Sequence, residues 1–130
     1  MITNSNGSVR FDSPVYIKSF ASVVGKKESE GPLGSYFDKV CEDEYFGQDS
    51  FEAGESEMLR QTVELAFSKF GETPDKADVL FSGDLLNQCV SSIYAIRDLN
   101  VPYVGIYGAC STFSEGLLLS ALAVASGFAK

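Results

Sequence analysis

Two short stretches hold the side chains with chemistry to offer. In "IYGACSTFSE", residues 106 to 115, Cys110 follows a Gly-Ala turn and precedes Ser111 and Thr112 at the start of an apolar run. In "FSGDLLNQ", residues 81 to 88, Asp84 and Asn87 follow a second apolar run that ends in glycine. A thiol at the first turn of a helix faces the positive end of the dipole and unpaired N–H groups, which favour the thiolate and nucleophilic chemistry. The same N–H groups equally receive a ligand's carboxylate or phosphate, with the cysteine merely lining the pocket. A third reading makes Cys110 a small packed apolar residue. The other candidates have local alternatives too. Asp84 can cap a helix that starts near Leu86, Asn87 can bond within its first turn, and Ser111 and Thr112 can cap the last helix. Cys41 and Cys89 read as packing residues.

Composition narrows the field. The 130 residues are 45% hydrophobic and carry a formal net charge of -8, enough apolar matter for one core and too little clustered Lys and Arg for a nucleic-acid surface. That charge also repels a bare dianion unless a cation or local dipole compensates. Three widely spaced cysteines, no CxxC pair and no histidine argue against a zinc site and suit a reducing compartment. The polar N-terminal stretch "MITNSNGSVRFDS" lacks the pattern of a signal peptide. The greasy stretch from Gly116 to Phe128 falls short of the ~18 apolar residues needed to span a bilayer and reads as a core helix.

The elements that must position the candidates follow from periodicity. Residues 15 to 24 read as a strand, and the glycines and proline of "GKKESEGPLG" as a loop before a short helix near Ser35 or Tyr36. The acidic segment "CEDEYFGQDSFEAGE" reads as a solvated loop whose spacing does not fit an EF-hand. Ser56 to Phe70 is an amphipathic helix with Leu59, Val63, Ala66, Phe67 and Phe70 on one stripe, closed by Gly71 and kept closed by Pro74. Residues 77 to 84 form a strand, Leu86 to Leu99 a helix broken by "NVP", residues 103 to 108 another strand, and the run after Cys110 a helix apolar on most faces. This order predicts one domain over 1–130 with an α/β fold, a mostly parallel sheet carrying helices on both faces. Ligands bind such sheets at the carboxyl ends of the strands, where Asp84 and Cys110 both fall.

"GPLGSYFDKV", "FSGDLLNQCV", "IYGACSTFSE" and the closing "GFAK" resemble the N-terminal part of the stage V sporulation protein AD family of spore-forming bacteria, from about Val15 to Lys130. The resemblance implies a thiolase-like fold of two similar α/β halves, of which this chain is one half, since family members run to more than twice its length. It implies binding of dipicolinic acid (pyridine-2,6-dicarboxylate) for uptake into the developing spore, alongside membrane partners of the same operon. The place it implies is the cytoplasmic side, peripheral to the inner spore membrane. By the same resemblance Cys110 matches the thiolase nucleophile, with Ser111 and Thr112 after it, and Asp84 and Asn87 lie beside its pocket.

Two functions follow. The first is a binding module without catalysis or cofactor, in which Asp84, Asn87, Cys110, Ser111 and Thr112 hold dipicolinate, alone or as its calcium chelate. In the chelate, Asp84 faces the cation and the helix start faces a carboxylate. The alternative is a thiolase-type acyl transferase using Cys110, but without histidine the usual base for a cysteine nucleophile is absent. A third reading is an acidic scaffold subunit docking on a membrane complex. A half-fold also exposes strand edges and a greasy helix, which predicts a homo-oligomer.

Overall fold

The architecture comes from a computed structural model, which describes residues 2–3, 7–86 and 88–130. Six strands and four helices follow one another as β1 (Ile2–Thr3), β2 (Val9–Arg10), β3 (Val23–Gly25), α1 (Lys26–Ser29), β4 (Lys39–Cys41), α2 (Phe51–Ser68), β5 (Leu80–Ser82), α3 (Val90–Ile96), β6 (Tyr103–Gly105) and α4 (Thr112–Ser126). The fold is α/β, as the alternation of elements implies. β3 pairs with β4 and β5 with β6, both in parallel, while β1 and β2 form a small antiparallel pair. No ladder joins the pairs among the described residues, so the single sheet expected from the pattern is realised as three separate two-stranded ladders.

The expected strand over 15 to 24 shrinks to its last two residues, Val23 and Val24, with Gly25 added. Just before it, the Asp38 carboxylate accepts from both the amide (2.9 Å) and the hydroxyl (3.2 Å) of Ser22, and Lys69 at the end of α2 reaches its other oxygen at 2.7 Å. That clamp joins α2 to the β3–β4 pair, and the Lys69 bond, followed by the Ser22 amide, holds the Asp38 carboxyl below its ordinary range. Over residues 11 to 22 the chain lies without ladder bonds, and Tyr16, Ile17 and Phe20 stand in solvent.

Helix α2 begins five residues earlier than its apolar stripe alone suggests. Ser50 caps it, its hydroxyl accepting from the Ala53 amide at 3.2 Å, and the Phe51 ring stacks on Tyr45 with centroids 4.5 Å apart. Gly54 is tolerated inside the helix for a packing reason: a Cβ there would sit 2.8 Å from the Tyr45 carbonyl oxygen. At the far end the Gly71 and Glu72 amides bond the Ser68 and Phe67 carbonyls with Gly71 at φ +81°, the glycine-closed ending that the sequence predicts. Helix α3 lies against α2, and the Ser56 hydroxyl donates across to the Ser91 carbonyl at 2.9 Å.

Helix α4 corrects an expectation. Its run from Ala109 to Ser126 is long and apolar enough to cross a membrane by length and composition, and it does not behave as a core helix. Ala123 is its one buried residue, while Phe113, Leu117, Leu118 and Val124 are exposed. The reason is how little covers it: the element that α4 chiefly rests on is β5, a strand of a two-stranded ladder, which leaves most of its apolar surface open. The chain exposes 8725 Å², where a compact monomer of 14.0 kDa exposes about 6,700 Å².

The β5–β6 pair is fixed at its carboxyl end by a close approach. The Ile106 amide donates to the Ser82 carbonyl at 3.0 Å, and a Cβ on Gly83 would lie 1.9 Å from the Ile106 carbonyl oxygen and 2.9 Å from Thr112 Cγ2. Both obstacles sit in the segment that begins α4, so neither yields without moving the strand end. Gly83→Ala should therefore lower unfolding free energy by about 1–3 kcal/mol, measured by urea denaturation; an unchanged midpoint would contradict this packing.

Candidate functional site

Beyond Ser82 and Gly105 the two parallel strands run out side by side, and the segments that leave them bound an open cleft of about 490 Å³. One wall is Gly83, Asp84 and Leu85; the other is Ile106, Ala109, Cys110 and the first turns of α4, with Phe113 and Leu117. Asp84 and Cys110 thus share one rim at the carboxyl ends of neighbouring strands, as in ligand sites of open α/β sheets. No Lys or Arg lines the cleft among the described residues.

The Asp84 side chain is only 5% exposed and points inward. Its Oδ2 accepts from the Ser92 amide at 2.8 Å and the Ser92 hydroxyl at 2.9 Å, while its own amide donates to the Gln88 carbonyl at 3.0 Å. The capping role open to an aspartate before an apolar helix is realised from a distance, because Asp84 satisfies an N–H in the first turn of α3. The helix starts at Val90 rather than near Leu86. Gln88 takes a left-handed φ of +62°, and Leu85 and Leu86 stand in solvent. With Oδ2 committed to Ser92, Asp84 positions the start of α3 while it also lines the cleft. Asn87 falls outside the described residues.

Cys110 is exposed and sits in a single 3-10 turn, Ala109–Ser111, that leads into α4. The turn is tightly specified. Ala109 takes a left-handed φ of +50°, which costs a non-glycine residue about 1–2 kcal/mol. A Cβ on Gly108 would meet Ser111 Oγ at 2.4 Å and Glu115 Oε2 at 3.1 Å. Ser111 donates its hydroxyl to the Gly108 carbonyl at 2.7 Å; Thr112 donates to the Ala109 carbonyl at 2.8 Å and accepts from the Gly108 amide at 3.0 Å. Both hydroxyl hydrogens therefore hold the turn, and Cys110 is the residue of the trio whose side chain is left to meet a ligand. The Glu115 carboxylate beside Gly108 sets negative charge against any bare anion approaching that end.

Behind the cleft lies a buried network that the motif analysis missed. The Tyr103 hydroxyl donates to the Ser82 carbonyl at 3.1 Å, the Cys89 thiol to the Ile106 carbonyl at 3.4 Å, and Ser92, fully buried, carries the Asp84 carboxylate. These contacts pin both strand ends to α3. Cys89, read from sequence as packing, also serves as a donor. The available signal was the Ser91–Ser92 pair in an otherwise apolar helix, since a buried hydroxyl calls for a partner.

A family model for stage V sporulation protein AD matches residues 5–130. The chain belongs to the stage V sporulation protein AD family. It is 39% identical over 120 residues to "Stage V sporulation protein AD" of Bacillus subtilis (strain 168), a match covering 92% of this chain and 36% of that protein. The chain thus spans about a third of the length of the curated relative it matches, and its cleft-bounding segments lie within the family match.

Burial pushes the Tyr103 phenol up to about 12, from an ordinary value near 10. The neutral phenol is the native form, so its contribution to stability is whole below about pH 10 and is lost as pH rises through about 12. Alkaline difference spectra should show one tyrosine ionising about two pH units late, absent in Tyr103→Phe; an identical titration in the two proteins would remove this residue from the buried network.

Proposed function

We propose that this chain carries the ligand-contacting rim of a non-catalytic sporulation protein that binds dipicolinate as its calcium chelate. The observation that carries the reading is the lining of the cleft: it lies at the strand ends of a sporulation-family chain, has apolar walls, and holds no basic side chain among the described residues. A bare dicarboxylate would meet Asp84, Glu115 and a net charge of -8 with no cation to receive it. A one-to-one calcium chelate is neutral and brings its cation with it. The chelate brings its own first donors, the pyridine nitrogen and one oxygen from each carboxylate, and water or backbone oxygens complete the roughly six to eight that calcium takes. Cys110 and the start of α4 then face the ligand, while Asp84, Ser111 and Thr112 shape its walls. A thiolase-like ancestry accounts for the cysteine, and uptake into the spore with membrane partners, at the cytoplasmic face of the inner spore membrane, completes the proposal.

Titration calorimetry on the protein with dipicolinate, with and without calcium, tests it. Saturable heat is expected, stronger with calcium, and Cys110→Ala should retain binding within about threefold. The exposure of Cys110 at the rim favours one rival, acyl transfer from a thioester. An acyl adduct on Cys110 by mass spectrometry, with no dipicolinate heat, would replace the first reading by the second.

The uncovered face of α4 supports self-association. The surface exposed beyond that of a compact monomer, roughly 2,000 Å² over the whole chain, exceeds the ~800 Å² that a standard interface takes from each partner. Light scattering should give a mass above that of a 14.0 kDa monomer; a clean monomer at high concentration would oppose it.

A further inference from the structure

We propose that Phe113 is a specificity-determining residue of the cleft, presenting its ring as a stacking face for a flat aromatic dicarboxylate; the inference rests on the binding function proposed above. Phe113 occupies the first turn of α4, three residues after Cys110, and lines the cleft while remaining 78% exposed, among the most exposed aromatic side chains of the protein. Leaving a phenyl ring in water forfeits apolar burial, and an open cleft wall is where a ligand recovers it. The opposite wall offers Leu85, also largely exposed, from the loop after β5. Apolar side chains thus rise from the two segments that bound the cleft, set apart from its polar groups: Cys110 and Thr112 at the start of the helix, Ser120 farther along it, and Ser82 and the buried Asp84 across from them.

That division matches one ligand shape: a ring with two apolar faces and a polar edge. A saturated ring carrying the same two carboxylates has the charge without the faces. Backbone packing leaves the rest of the wall little room to adjust, since a Cβ on Gly116 would already sit 3.3 Å from Ile106 Cδ1 and one on Gly83 would collide with the Ile106 carbonyl. Discrimination between flat and puckered rings then falls to the exposed side chains, of which the phenyl is the aromatic one.

The test compares pyridine-2,6-dicarboxylate with cis-piperidine-2,6-dicarboxylate, the saturated ring that keeps the nitrogen donor, both with calcium, by calorimetry on the full chain and on Phe113→Leu and Phe113→Tyr. Wild type should prefer the aromatic ligand. Phe113→Leu should weaken that ligand roughly two- to tenfold with little change for the saturated ring, and Phe113→Tyr should restore the preference. Circular dichroism confirms folding, which an exposed side chain should not disturb. Wild-type binding with the same preference in Phe113→Leu overturns the role of Phe113 and leaves the binding function standing. No wild-type binding of pyridine-2,6-dicarboxylate overturns both.

Discussion

The contact on which the site depends is between backbones: the absent side chain of Gly83 lets the chain leaving β5 press against the Ile106 carbonyl leaving β6. Parallel strands bring their carboxyl ends to the same side, but pairing alone leaves the outgoing loops free to diverge. Here they cannot. The Ile106–Ser82 bond, the Tyr103 hydroxyl on the Ser82 carbonyl and the Cys89 thiol on the Ile106 carbonyl fix the gap. Every cleft wall is built outward from that gap.

Charge has been arranged around this frame rather than inside the cleft. Asp84 is spent on the first turn of α3, and the hydroxyls of Ser111 and Thr112 on the turn before α4. What remains at the surface is a thiol, apolar walls and a carboxylate near Gly108. Such a cavity suits a neutral ligand with polar edges better than a free anion. Rigid polar networks behind an apolar wall are a general way to hold binding geometry without filling the pocket with charge.

Much of this was legible in the sequence. The α/β order, the glycine ending of α2, the strand at Leu80–Ser82 and the shared rim of Asp84 and Cys110 all follow from periodicity and punctuation. The early start of α2 was hidden because Gly54 and an acidic run mimic a loop, while the Ser50 cap that decides the boundary is a single hydroxyl. The helix seemed to begin near Leu86 because Leu86 falls in phase with Val90 and Ile93, and only the folded chain shows it starting at Val90 with Asp84 bonded to Ser92. The bonds from Ser92 to Asp84 were hidden for the same reason: spacing reports which end of a strand a residue occupies, not which way its carboxylate turns. Likewise the apolar periodicity of α4 signals burial but cannot name the surface that provides it.

The bare flank of α4 also bears on how the chain can exist by itself. A fold whose greasiest helix lies open holds its shape partly through whatever settles over that flank, and each such occupant acts as a ligand of the native state. Robustness then becomes a property of the surroundings, rising with crowding by matching surfaces and falling on dilution.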